Sequence, residues 1–522
     1  FIVLLLVTLV MFLVALSDSI LGIAIMYTKV KLGDTMENLE RLVNELRKYN
    51  NETNWIEFKH NNYDPDMIGQ DISALANSAV CAEKNNAYMV WGIDDKSHDI
   101  IGTDYDQYSL KIGNQEIESW LRNLLSKNAD FEFNTIEMKN SSGENKKIVI
   151  ITIVKAINQS VTFKKTDYIR VGSYTKQLND YPAIKVQLWD RIRMQNFEDI
   201  ISKSDLTDAE AINLIDYSKY FELKKESIPS SIENILHFMI EENIIVKQDN
   251  GLYGITNLGA ILFAKNFSSF PKVSRKALRV VKYCGDDKSE IEKEYTGVKG
   301  YAVGFENLMD WLTALLPSRE IFEGALRKNV TQYPIIALRE AIANALIHQD
   351  FSITGTGPLV EIFDTRIEIT NPGVPLVDIQ RIIDNPPKSR NEKLADLMRR
   401  LKMCEELGSG WDRIVISCEI KQLPAPKITL YDENTKVILF SEKPFSTISQ
   451  DDKVWACYLH SCIKFVSNSY MTNKSLRDRF GLKESSAASA SRLIKEALKK
   501  NLIKPFNSET APRYMQYIPF WA

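Results

Sequence analysis

Asn51-Glu52-Thr53-Asn54-Trp55-Ile56-Glu57-Phe58-Lys59 decides how the first half of this chain is read. Alternation along a strand puts Ile56 and Phe58 on one face and Trp55, Glu57 and Lys59 on the other. A carboxylate and an ammonium then project side by side, with Glu52 just upstream. Farther along, the apolar run 87–93 reads as a buried strand. Asp95 follows it, where a strand end presents a side chain to a cleft. Glu52, Glu57 and Asp95 would together supply the hard oxygen donors that Mg²⁺ or Mn²⁺ takes. Such an ion activates water and stabilises a phosphoryl transition state, a catalytic set in which Lys59 would assist. The same residues also read as an exposed Glu57–Lys59 pair beside a turn aspartate, an arrangement of little energetic consequence. Both readings stand on the residues alone.

The order of motifs adds a resemblance. Glu52-x-x-x-x-Glu57-Phe58-Lys59, then Asp71-Ile-Ser-Ala-Leu-Ala-Asn77, then a strand ending Gly92-Ile-Asp-Asp95, resembles the AlbA-type domain of the Schlafen family. Tyr168-Ile-Arg-Val-Gly172-Ser-Tyr-Thr175 is similar to its closing strand. The resemblance covers roughly residues 45–185. It implies an α/β domain in which Glu52, Glu57 and Asp95 form a metal-dependent ribonuclease site for structured RNA such as tRNA. For bacterial relatives it implies a DNA-binding regulator instead. Two features depart from the pattern. Asn85-Asn86-Ala87 stands where the family has Gly-Gly, and no Cys/His set matches the zinc site of the animal proteins.

The chain has 522 residues, which suggests roughly three to four domains. It is 44% hydrophobic and 25% charged, an ordinary globular composition. With 65 basic and 68 acidic residues the net charge is −3, so nucleic-acid contact has to come from a local patch. Six cysteines with no C-x-x-C pair and five scattered histidines argue against a zinc ribbon and fit a reduced, cytoplasmic protein. Residues 1–35 stand apart. Their uncharged run 1–16 is short for a membrane span, and extending it takes in Asp18. Met36 opens an amphipathic helix and is an expected start. The leader reads as translated upstream sequence or a membrane anchor, and a membrane partner is expected only if it is genuine.

No G-x-x-x-x-G-K-[ST] is present, which leaves a P-loop ATPase unsupported. Instead the predicted helix 335–348 carries Glu340, Asn344 and His348 four residues apart, on one face. A glutamate orients water, and an asparagine carbonyl ligates Mg²⁺. The predicted hairpin 360–369 leads to Asn371-Pro372-Gly373, and Gly408-Ser409-Gly410 opens a helix whose N–H groups would meet phosphate oxygens. A polar helix stripe is also what a solvated face looks like. In order, the set resembles the GHKL-type ATPase fold in its divergent Schlafen-linked form, over residues 331–425. That resemblance makes Glu340 catalytic and Asn344 a metal ligand. It matches Asn371-Pro-Gly373 to the adenine-reading Asp-x-Gly and assigns His348, Asn371, Gly373, Gly408 and Gly410 to ATP. It also implies a nucleotide-gated dimer, hence a homo-oligomer.

At the end of the chain, Thr472 is a predicted N-cap of a short helix, Gly481-Leu482 a turn, and 485–500 a second helix. Strands at 502–506 and 514–518 would form a wing. Residues 470–507 hold nine Lys+Arg and three Asp+Glu, net +6. Arg492, Lys495 and Lys499 share one side of the second helix and would reach phosphates. Winged helices also serve as protein-binding modules.

The expected fold class is therefore α/β multidomain. The expected order is a leader (1–35), a Schlafen AlbA-like domain (36–200), a winged-helix-like connector (201–300), a GHKL-like α/β sandwich (301–445) and a winged helix-turn-helix (446–522). The expected function is DNA or RNA binding under ATP control, as a transcription regulator. The alternatives are a metal-dependent endoribonuclease, acting in stress or phage defence, and a non-catalytic scaffold.

Overall fold

The computed structural model describes residues 36, 38–49, 53–194, 196–248, 250–323, 326–404 and 410–522. The leader, Glu52 and Gly408 lie outside them. The chain forms two compact units, one up to residue 196 with 247–252, the other 197–246 with 253–522.

The first unit is built on a four-stranded sheet. A helix over 38–46 (α1) precedes β1 (Ile56–Lys59), α2 (Pro65–Cys81), β2 (Asn86–Trp91), β3 (Phe131–Lys139) and β4 (Asn145–Val154). Their order is β1-β2-β4-β3, with β1 parallel to β2 and the other pairs antiparallel. β2 and β4 are buried runs of Tyr, Met, Val and Ile, as strands covered on both faces should be. α2 starts where Asp64 accepts from the Met67 N–H at 3.0 Å and Pro65 occupies the first turn. A hairpin, β5 (Thr166–Val171) and β6 (Tyr174–Gln177), lies against α2. The buried polar side chains of α2 bond this hairpin. Asn77 Nδ2 donates to the carbonyls of Val161 (2.9 Å) and Tyr168 (2.8 Å), and Ser78 Oγ accepts from the Arg170 N–H at 2.9 Å. This gives the polar positions of Asp71-Ile-Ser-Ala-Leu-Ala-Asn77 their use inside an otherwise apolar layer.

The second unit opens with β7 (Ile201–Leu206), antiparallel to β8 (Tyr253–Thr256). Its largest element is a six-stranded sheet. The strands are β9 (Arg279–Tyr283), β10 (Ile291–Thr296), β11 (Leu359–Ile362), β12 (Arg366–Pro372), β13 (Lys427–Tyr431) and β14 (Asn434–Phe440), in the order β10-β9-β11-β12-β14-β13. The expected hairpin 360–369 is β11–β12, paired Val360 to Ile369. Two of the strands come from the stretch read as a connector, because β9 pairs in parallel with β11, Val280 beside Val360. α3 (Tyr301–Leu315), α4 (Ile335–Ile347), α5 (Glu392–Arg400) and α6 (Gly410–Ile420) belong to this unit. α4 packs on α6 and on β12. α3 ends at Leu315, where Pro317 stops it, and Ser318–Glu323 pairs antiparallel with Leu326–Thr331.

The chain ends in α7 (Gln450–Val466), α8 (Asn473–Arg479) and α9 (Ala487–Lys499), then a hairpin of β15 (Ile503–Pro505) and β16 (Tyr517–Pro519). Thr472 caps α8 as its sequence predicts, with Ser475 completing a reciprocal capping box. Among the described residues no helix is long and apolar enough to cross a membrane.

Candidate functional site

In the first unit, Glu57 and Lys59 project together from β1, with Lys59 buried and Glu57 partly so rather than exposed. Lys59 Nζ lies 3.1 Å from Glu57 Oε1 and 2.9 Å from Asp71 Oδ2. Arg170 Nη2 lies 2.5 Å from Glu57 Oε2, and Thr175 Oγ1 donates to Asp71 Oδ1 at 2.5 Å. Two carboxylates and two cations thus form a balanced quartet that ties β1, α2 and β5. Burial works against the Lys59 charge, yet Asp71 and Glu57 outweigh it and raise its affinity for the proton. Asp95 sits in the exposed turn after β2, where partial desolvation and then the Asp94 charge raise its carboxyl. Of the expected three-carboxylate centre, Glu52 lies outside the described residues. Both oxygens of Glu57 face a cation, and a divalent ion there would have to displace Lys59 or Arg170. Among the described residues no group of three His, Cys, Asp or Glu side chains is placed to hold a metal ion. Sequence reasoning quoted Asp71 and Arg170 inside their motifs but gave them no role. Arg170 stands between Ile169 and Val171, and a charge flanked by apolar residues is the available signal; Asp71, between Gln70 and Ile72, carries a weaker one.

In the second unit, one cavity of about 420 Å³ gathers Glu340, Asn344, His348, Asn371 and Gly410. That size suits a small ligand or cofactor. α4 supplies the first two, and His348 is its C-cap. Ala341 and Ala345 line the cavity beside them, while Leu338 and Ile342 are buried away from it. Glu340 is 5% exposed, and Arg413 Nη1 lies 3.0 Å from its Oε1. Gly410 begins α6 directly over this pair. A Cβ there would lie 3.3 Å from Glu340 Oε2 and 3.7 Å from Asn344 Nδ2, so a side chain would invade the space between helix start and carboxylate.

Asn371 Nδ2 donates inward to the carbonyls of Pro372 (3.2 Å) and His348 (3.4 Å). Asn371 also lines the cavity. Gly373 is not a lining residue. Its φ of +108° shapes the turn, and a Cβ would lie 2.9 Å from Arg390 Nη1. Burial first, then the charge of Arg390, pushes His348 down to about 4, so its imidazole is neutral at pH 7. Arg390 itself donates to the Val374 carbonyl at 3.1 Å and lines the cavity with Lys388 and Thr435. Sequence reasoning missed these three and Arg413. The Pro386-Pro-Lys-Ser-Arg390 run, a polar loop just before a helix, was the available signal. Asn344, beside the start of α6, fits a nucleotide-bound Mg²⁺, and Gly410 leaves room for a phosphate there.

Arg492, Lys495 and Lys499 are all exposed along α9. The local surplus at the surface is smaller than the count of residues suggests. Arg479 is buried, with Nη2 donating to the Leu423 carbonyl at 2.8 Å, and Lys500 pairs with Asp451 at 2.5 Å.

Comparison with known proteins agrees with the two architectures. Residues 52–179 match the family "Schlafen, AlbA_2". Residues 355–439 match the family described as "Putative ATP-dependent DNA helicase recG C-terminal". The chain is thus a multidomain α/β protein carrying a Schlafen AlbA_2 domain and a GHKL-like ATPase-type domain. The second match begins after α4, the helix of Glu340 and Asn344. No curated protein matches the chain. Among solved structures, the DIP2311 protein from Corynebacterium diphtheriae aligns at 15% identity and TM-score 0.41, over 92% of this chain and 97% of its own.

Proposed function

We propose that this protein binds nucleic acid under the control of an adenine nucleotide and acts as a transcription regulator. The observation that carries the nucleotide half is the convergence of Glu340, Asn344, Asn371 and Gly410 on one cavity. ATP is the nucleotide the cavity suits. Asn371 would meet the adenine edge, and Gly410 at the start of α6 and Asn344 would hold the phosphates and their Mg²⁺. The nucleic-acid half rests on the exposed cations of α9 in a helix–turn–helix arrangement ending in a hairpin wing. The name of the family matched by residues 355–439, a helicase C-terminal region acting with DNA, supports the same pairing. A homodimer and a cytoplasmic location belong to this proposal.

Purified full-length protein is titrated with a labelled duplex and with tRNA, each with and without ATP and Mg²⁺, and the tRNA is checked for cleavage after adding Mn²⁺. Salt-dependent duplex binding that ATP shifts is the expected result. Cleavage of tRNA would establish the nuclease alternative, and absence of any binding would leave a scaffold.

A further inference from the structure

We infer that α6 is a transmission helix, which carries nucleotide occupancy at its first turn to the basic helix α9 through a buried polar cluster at its other end. This deepens the function proposed above and rests on it. α6 has 11 residues, about 16 Å of helix. Its start is the cavity wall: Gly410 stands over Glu340 and Asn344, and Arg413 pairs with Glu340 at 3.0 Å. Anionic phosphate at that end meets the positive pole of the helix and competes with Glu340 for the Arg413 guanidinium.

The far end of α6 is clasped by the C-terminal helices. Glu419 Oε2 lies 2.9 Å from His460 Nδ1 on α7, and His460 Nε2 lies 3.1 Å from Ser475 Oγ. Ser475 is the residue that closes the capping box of α8. Arg479, at the other end of α8, reaches Glu419 Oε1 at 3.7 Å and donates to the Leu423 carbonyl at 2.8 Å. Gly481 has φ +62° in the turn between α8 and α9, and any Cβ there would strike the Gln422 side chain. α8 in turn holds α9. Asn473 Nδ2 donates to the Ala487 carbonyl at 3.0 Å and to Ser491 Oγ at 2.9 Å, one residue before Arg492. Glu419, His460 and Arg479 are all largely buried. Buried polar contacts of this kind hold few alternative arrangements, so a shift of α6 moves α8 and α9 with it rather than being absorbed.

The test is the coupling factor, the ratio of duplex Kd without and with saturating ATP, in the full chain. Linkage requires the duplex to change ATP affinity by the same factor. Wild type should give a factor of about five or more. Glu419→Gln, which touches neither the cavity nor the α9 cations, should bind ATP alone and duplex alone within about twofold of wild type. Its coupling factor should fall towards one. An unchanged factor in Glu419→Gln overturns the inference, and so does a factor of one in a wild type that binds both ligands. Wild type that binds no ATP or no duplex fails the proposed function itself and takes the inference with it. Hydrogen exchange on wild type needs no variant. ATP should change amide protection in α8 and α9, and protection confined to α4, α6 and the cavity loops overturns the inference.

Discussion

Arg413 holds the carboxylate of Glu340 at 3.0 Å, and the pair closes the gap between α6 and α4 beside the cavity. A glutamate paired with a guanidinium is a weaker proton acceptor than a free one. On the proposed function, this pairing would hold back ATP hydrolysis by Glu340. Arg413→Gln should raise kcat for ATP hydrolysis by roughly tenfold, within the usual range for a general base, and Glu340→Gln should abolish it. Phosphate release at saturating ATP measures both. A kcat in Arg413→Gln at or below wild type contradicts this account of Glu340.

His348 ties acid stability to the cavity. Its pKa is pushed down to about 4 in the folded chain, against about 6.5 for an ordinary histidine. The unfolded chain thus binds the proton more tightly. The group's contribution is complete above about pH 6.5 and drains away as pH falls towards 4, about 3 kcal/mol in all. Between pH 7.5 and 5, wild type should lose roughly 2 kcal/mol more than His348→Asn in urea unfolding. Parallel losses in the two proteins would mean that His348 is protonated in the native state.

Glu57→Gln separates a structural carboxylate from a metal ligand. The substitution takes the negative partner from Lys59 and Arg170, both buried, and should cost about 3–5 kcal/mol. Chemical unfolding reads this directly. A metal ligand predicts the opposite pattern, with little loss without metal and stabilisation of wild type alone by Mn²⁺.

Much of this was legible from local pattern. The alternation in 360–369 yields β11–β12, the four-residue spacing of Glu340, Asn344 and His348 yields the cavity face of α4, and Thr472 marks the cap of α8. What stayed hidden depends on pairings distant in sequence. The parallel pairing of Val280 with Val360 leaves no trace in either strand, so 279–296 looked like connector. The Asp71–Lys59 pair exists only once α2 packs on β1, and the Glu57–Arg170 pair only once β5 joins them; from local sequence Glu57 looks free to take a metal. Arg479 looks like surface charge in sequence because its partners, the Leu423 carbonyl and Glu419, lie more than fifty residues away.

The α9 cations should act on the phosphate backbone. Replacing Arg492, Lys495 and Lys499 together with alanine should weaken duplex binding for every sequence. It should also flatten the slope of log affinity against log salt by about 2.7, roughly 0.9 for each phosphate that is no longer neutralised. Anisotropy at three salt concentrations on one specific and one random duplex resolves this. Weakening on the specific duplex alone, with the slope kept, would indicate base reading instead.

The central claim is that the cavity under α6 takes an adenine nucleotide, and calorimetric titration of the full-length protein with ATP and Mg²⁺ tests it most directly. The account predicts saturable heat with one site per chain and loss of binding in Gly410→Val. Absence of heat with wild type, or wild-type binding by Gly410→Val, would contradict it.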